Sequence, residues 1–413
     1  MPQKISNKKS ESNSDDGFSL SFKQAMGLLV VVPVAIVLFF SITTINEELQ
    51  TLRELRPLSN VTQLSSKVGA YVHEMQKERG ATGGFMGSDG QDFKTVLRSQ
   101  RRLTDNRRED LDYFLSTFDS SEFGEDFVNI FDTAFVEYDK LNNIRKQVSA
   151  LSIPDTEGIG FYTQHNDKML EVVRFISAQT SPDVGLTESI NAYIAFIEGK
   201  EKAGEERAIM TNTFAADKFD EGVFDRFLFL VHAQEIYFDA FSWYANQEEM
   251  SFFNEKLTDP TVAEVERMRD IAFSKDEDFS INALHWFLTM TSKINLMQDT
   301  ADKILDDVIS RSSDLEEKAS GKLNIAIFST IAILLVTISL SIYLTGSVSR
   351  RLNRLKEGVD IIGKGDLDYK VGNKDKDEIG QLSRAFDKMT LAIKESRSEV
   401  DKKVEEQTKE VIE

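Results

Sequence analysis

Two long uncharged runs interrupt an otherwise amphipathic, charge-rich chain. Residues 25–45 (AMGLLVVVPVAIVLFFSITTI) and 323–349 (LNIAIFSTIAILLVTISLSIYLTGSVS) contain no Asp, Glu, Lys or Arg. Each meets the roughly 20 apolar residues that a helix needs to cross a hydrocarbon layer of ~30 Å, so each predicts a membrane span. The first run outlasts the apolar core of a cleavable signal peptide and no A-x-A-like site follows it. It reads as an uncleaved anchor. Between the runs the apolar positions keep a helical period: Phe224, Phe227, Leu228 and Val231 share one face, as do Ile236, Phe241 and Tyr244. Aromatics in such a stripe read as core. SIPDTEGIG (152–160), TSPDVGL (180–186) and LTDP (257–260) punctuate the pattern as turns. An all-helical domain of about eight main helices is expected there.

Beyond the second run the period tightens. Leu352, Leu355, Val359 and Ile362 recur at spacings of 3, 4 and 3, GKGDLDYKVGNKDKD (363–377) breaks the pattern, and Ile379, Leu382, Phe386, Met389 and Ile393 resume it. Two short helices with an a/d seam and an extended connector follow from that spacing. Neither can bury its stripe alone, which implies a parallel four-helix bundle made by two chains. The stretch resembles a HAMP domain, with GDL (365–367) and DEIG (377–380) at the connector turn and the second-helix start; Arg350–Arg351 stand where that family often has proline. Val400, Val404 and Val411 continue the stripe out of phase, as a stutter at the start of a coiled coil. No histidine follows His285, so no phosphoacceptor histidine lies on this side, and no nucleotide-binding motif occurs.

Charge supplies the topology. Lys4, Lys8, Lys9 and Lys23 precede the first run, and Arg350, Arg351, Arg354 and Lys356 follow the second. By the positive-inside rule both termini are cytoplasmic and residues 46–322 lie outside. The formal net charge is −20 over 413 residues, and 46–322 holds 51 acidic against 30 basic residues. That balance argues against a nucleic-acid partner, which needs clustered Lys and Arg. The absence of cysteine excludes disulfides, thiolate metal sites and cysteine catalysis. His73, His165, His232 and His285 show no metal-ligand spacing, and no nucleophile elbow or phosphate loop is present. No metal, cofactor or enzyme activity is expected.

One stretch is anomalous for a helix. QKERGATGGFMG (76–87) sets Glu78 and Arg79 directly before Gly80, Gly83, Gly84 and Gly87, although each glycine costs a helix interior roughly 0.8–1 kcal/mol relative to alanine. The motif recurs as Glu206-Arg207-Ala208 within GKEKAGEERA, a hint of internal duplication that would bring two Glu-Arg sites to a shared interface. The glycines admit two readings: a close backbone approach with the helix ending or deforming just past Arg79, or helix–helix packing alone. Glu78 and Glu206 either fix the arginines or form structural ion pairs. RSQRRLTDNRR (98–108) is basic against an acidic background. Either it is a solvated face, or Arg101 and Arg102 turn inward to the interface.

KERGATGGFMGSDGQDFKTVLRSQRRLTD (77–105), AYIAFIEGKEKAGEERAIMTNTF (192–214), AQEIYFDAF (233–241) and WFLTMTSKINLM (286–297) together resemble the NIT domain, the nitrate- and nitrite-sensing module of bacterial receptors. The resemblance implies two helical bundles holding an anion between arginines from both halves. Arg79 and Arg207 occupy the motif positions, with Glu78, Glu206, Arg101 and Arg102 as further candidate ligand-binding residues. A planar guanidinium fork matches nitrate better than a lysine point charge does.

The expectation is therefore an all-α, two-span, homodimeric receptor of the bacterial inner membrane that senses nitrate or nitrite outside and signals to a cytoplasmic partner. Its divisions are a tail (1–24), a first span (25–45), a sensor (46–322), a second span (323–345), HAMP (346–398) and a coiled-coil helix (399–413). The alternative is the sensory half of a chemoreceptor or a two-component histidine kinase with a different small ligand, its output module absent from this chain.

Overall fold

A computed structural model describes residues 22–138, 140–178, 183–372 and 375–412. Eleven α-helices follow one another among the described residues: α1 (Phe22–Gly87), α2 (Lys94–Leu115), α3 (Glu125–Tyr138), α4 (Leu141–Ser149), α5 (Asp155–Arg174), α6 (Val184–Ala216), α7 (Val223–Tyr244), α8 (Gln247–Lys256), α9 (Pro260–Ser274), α10 (Ala283–Gly363) and α11 (Glu378–Ile412). Two short 3-10 turns accompany them, and the one isolated β-bridge among the described residues joins Lys218 to Glu277. The all-α expectation holds. Lys4, Lys8 and Lys9 of the tail, and positions 180–182 of the second turn signal, lie outside the described residues.

The chain divides into two compact units, residues 46–323 and residues 1–45 with 324–413, and both α1 and α10 contribute to each. The larger unit is a duplicated helical bundle. Its first half runs α1, α2, α3–α4, α5, and its second α6, α7, α8–α9, α10. That makes ten helices where the turn signals suggested about eight. The extra ones come from the divisions between α3 and α4 and between α7 and α8, where the sequence carries no proline or glycine. LTDP does mark a boundary: the Asp259 carboxylate accepts from Thr261 N–H at 2.9 Å and Pro260 opens α9. Phe227, Val231 and Phe241 pack as core, as the periodicity implied, but Ile236 and Tyr244 of the second stripe are exposed, because they lie on the outer side of α7. Phe127 meets Phe123, Phe131 and Phe175 in one half, and Phe196 meets Phe238, Phe241 and Phe253 in the other.

The smaller unit holds the two uncharged runs. Leu28, Val31, Ile36, Phe39 and Phe40 on α1, and Ile325, Phe328, Leu335, Val336 and Ile342 on α10, are all exposed. Side chains of that kind facing outward over two such lengths define membrane-spanning helices, because a bilayer solvates what water would not. Thr330 donates to Ser41 Oγ at 2.8 Å between them. After the second span α10 ends at Gly363, the chain turns at Gly365 (φ +106), and the Asp387 carboxylate accepts from Val371 and Gly372 N–H at 2.7 and 2.8 Å. Asp377 accepts from Gly380 N–H at 2.8 Å and so caps the start of α11.

Candidate anion site

In the larger unit α1 and α6 run side by side in the same direction, since contacts advance together along both. A methyl group added at Gly69 would touch Tyr193 Oη at 3.3 Å, one at Gly80 would meet Arg207 Nε at 2.9 Å, and one at Gly83 would meet the Ala208 carbonyl oxygen at 2.9 Å. The glycine-rich stretch is thus a close-approach surface, as one of the two readings held. The helix does not end or deform just past Arg79, however. α1 continues to Gly87, because packing against α6 and the Phe93 ring outweighs the modest helix penalty of glycine.

That approach brings Arg79 and Arg207 together, and both side chains are fully buried. Arg79 Nη1 donates to Glu201 Oε1 at 2.6 Å and to Thr163 Oγ1 at 3.2 Å. Arg207 Nη1 donates to Thr291 Oγ1 at 2.9 Å, and its guanidinium stands 5.5 Å from the Phe287 ring centroid. The Nε and Nη2 groups of both arginines have no hydrogen-bond partner among the described residues. Burial, and then the positive charge of Arg79, pull Arg207 down to about 9. Two like charges held in a buried interior, with four donor nitrogens unbonded, make a candidate anion site. A cleft of about 740 Å³ between α5, α6 and α7, with Thr163 and Glu201 on its wall, leads toward Arg79.

The duplication is visible atom by atom. Arg79 and Arg207, Thr163 and Thr291, and Glu78 and Glu206 each differ by 128 in residue number, and both arginine–threonine bonds span 84 residues. Glu78 and Glu206 follow the ion-pair reading. Neither pairs with the neighbouring motif arginine. Glu78 accepts from Arg145 Nε and Nη2, both at 2.7 Å, and from Tyr162 Oη at 2.7 Å. Glu206 accepts from Arg269 Nε and Nη2 at 2.7 and 2.5 Å, and from Gln234 at 2.8 Å. These pairs tie α1 to α4 and α5, and α6 to α7 and α9. They hold the backbone that carries each arginine.

Arg101 joins the first of these networks, 3.7 Å from Glu78 and bonded to Ser149 Oγ at 2.8 Å, and does not reach the buried pair. Arg102 is exposed and is not brought there either. The basic face of α2 serves largely local pairs, such as Arg107 with Asp110 at 3.1 Å. Thr163, Thr291, Glu201, Arg145 and Arg269 were not singled out by sequence. Sliding the chain against itself by 128 positions aligns Thr163 with Thr291 and would have found the first two.

Two helical bundles meeting at a buried arginine pair, with spans and a seamed two-helix segment in the same chain, define a membrane receptor with a small-ligand sensor. A family profile described as "Nitrate and nitrite sensing" matches residues 70–309, and a second, "HAMP domain", matches 343–395. The chain belongs to the nitrate- and nitrite-sensing (NIT) family and carries a HAMP domain. Both are non-catalytic modules, one for sensing and one for signalling. Over 269 residues the chain is 23% identical to a "Nitrate regulatory protein" of Klebsiella oxytoca, covering 64% of this chain and 66% of that one. It is 35% identical over 71 residues to "Sensor protein SrrB" of Staphylococcus aureus, covering 17% and 12%. The chain thus spans just under two thirds of the first relative and about an eighth of the second. The "Structure of the NasR transcription antiterminator" superposes with a TM-score of 0.59 at 20% identity, covering 83% and 91%, which establishes a shared fold.

Proposed function

We propose that the protein is a homodimeric inner-membrane receptor whose external unit binds nitrate or nitrite between Arg79 and Arg207 and relays occupancy through HAMP to a cytoplasmic output. The observation that carries this reading is the meeting of two fully buried guanidiniums with unpartnered Nε and Nη2 groups. A planar monovalent oxyanion between them would satisfy those donors and offset the burial and the repulsion that pull Arg207 down. Thr163 and Thr291 orient the two forks, and the Glu78 and Glu206 ion pairs support them from behind.

In this reading residues 46–322 face the periplasm and both termini are cytoplasmic. Thr291, on the second half's last helix, belongs to the same continuous α10 as the second span and the first HAMP helix. A shift at Thr291 on anion binding would therefore bias the HAMP seam, by no more than the anion's affinity difference between the two arrangements. A coupling of ~2.7 kcal/mol corresponds to about a hundredfold preference. The downstream partner is a chemotaxis or two-component output.

The test is calorimetry on the full chain in lipid nanodiscs with nitrate, nitrite, chloride and sulfate. Saturable nitrate or nitrite heat that disappears in Arg79→Gln and in Arg207→Gln, with helical content preserved, supports the reading. Silence for every anion defeats it.

A further inference from the structure

Among the differences between the two repeats, one sets a carboxylate against one of the two arginines only. Arg79 has a carboxylate against it: Glu201, 3% exposed, accepts from Arg79 Nη1 at 2.6 Å and is held on its other oxygen by Gln76. The position 128 residues before Glu201 is His73, which lies near enough to Arg207 to feel its charge. His73 is 7% exposed, its Nε2 lies 3.1 Å from Asn295 Oδ1, and its Nδ1 has no partner among the described residues. Burial, then Lys200, Lys77 and Arg207, hold its imidazole well below the usual range, so it is neutral. Arg207 thus has no carboxylate bonded to it, and Glu201 and Glu74 act on it only through space.

The other charges close by are accounted for. Glu74 pairs with Lys77 at 2.9 Å. Lys200, bonded to Gln298 at 2.5 Å and Gln76 at 3.2 Å, faces Asp302 as well as Glu201. Glu205 is tied to Lys202 at 2.6 Å and to Arg226. Among the side chains bonded to the two guanidiniums Glu201 is the one carboxylate, so the arginines and their bonded partners carry one surplus positive charge.

Resting on the arginine-pair reading, we propose that Glu201, set opposite the uncharged His73, is the specificity-determining residue of the site. It limits the pocket to one negative charge, so that a monovalent oxyanion is accepted and a divalent one is refused. A nitrate or nitrite ion closes the surplus. Sulfate would leave an unbalanced negative charge in a buried site, next to a carboxylate.

Calorimetry on the full chain in nanodiscs, at constant ionic strength and pH 7, tests this with nitrate and sulfate. The unmodified protein should prefer nitrate by at least 100-fold. Glu201→Gln keeps an acceptor for Arg79 and removes the charge, and should raise sulfate affinity relative to nitrate at least tenfold. Glu201→Asp keeps the charge and should keep the preference. His73→Glu sets a carboxylate near Arg207 and should weaken nitrate at least tenfold. An unchanged nitrate-to-sulfate ratio in Glu201→Gln, with nitrate still bound, overturns the inference alone, as does full nitrate affinity in His73→Glu. Absence of heat from every anion in the unmodified protein overturns the arginine-pair reading and takes this inference with it.

Discussion

Arg79 and Arg207 each rest against a glycine on the other's helix: Arg207 Nε lies 2.9 Å from where a Gly80 methyl would sit, and Arg79 Nη2 lies 2.8 Å from one at Gly204. The exchange makes a sharp prediction, because alanine normally favours a helix over glycine by roughly 0.8–1 kcal/mol. Gly80→Ala and Gly204→Ala should leave thermal unfolding within a few degrees of the unmodified protein, the helix gain opposing the clash. Each should weaken nitrate binding at least tenfold by displacing a guanidinium. Calorimetry with parallel melting curves checks it, and unaltered affinity in both variants contradicts it.

The ion pairs behind the arginines predict the opposite pattern. Glu78 and Glu206 are fully buried, and Arg145 and Arg269 supply their counter-charge. Removing one partner of a buried pair costs about 3–5 kcal/mol, mostly by stranding the other charge. Arg145→Ala and Arg269→Ala should therefore lower the unfolding temperature markedly. Arg102→Ala, at an exposed position, should change stability by no more than ~0.5 kcal/mol. Melting followed by circular dichroism separates the two classes.

The contrast between Arg145 and Arg102 also shows what was legible in the sequence. The two spans, the HAMP seam and the helical class were written in periodicity and charge, which local physics fixes. The ERG and ERA motifs located both central arginines because each sits on a regular helix beside small residues. What lay beyond reach was pairing. Nothing in RSQRRLTDNRR distinguishes an arginine that reaches Glu78 from one that faces water, and Arg145, 67 residues from Glu78, carries no local mark at all. Glu201 stood within the GKEKAGEERA motif, yet only tertiary contact reveals that it faces Arg79 while its repeat counterpart is a histidine.

Titration of Arg207 gives a pH test with a definite sign. Its guanidinium is lowered to about 9 by burial and then by Arg79, well below the ordinary guanidinium value. Between those values the unfolded chain binds the extra proton, so this group's contribution to stability rises with pH across that window. Anion binding needs the charged form. Nitrate affinity should be flat near neutrality, begin to fall as Arg207 discharges, and approach a tenfold loss per pH unit above about 9. Nitrate itself does not titrate there. Affinity that is constant from pH 7 to 10 rules the argument out.

The HAMP seam supplies a prediction about partnership. In the single chain Leu355 is nearly buried, yet Leu382, Met389 and Ile393 stand 46–48% exposed along one stripe of α11. An a/d stripe left open in this way is the face that a second copy would cover. Because the chain has no cysteine, single substitutions report contacts without background. Leu382→Cys and Met389→Cys in native membranes should form disulfide-linked dimers under mild oxidation, since paired seam positions bring Cα atoms within about 7 Å. Lys388→Cys, beside Met389 but off the stripe, should cross-link far more slowly. Equal rates at all three positions would mean that the stripe does not face a second chain. Nitrate added during oxidation should then change the Leu382-to-Met389 ratio if occupancy at Arg79 and Arg207 reaches the seam.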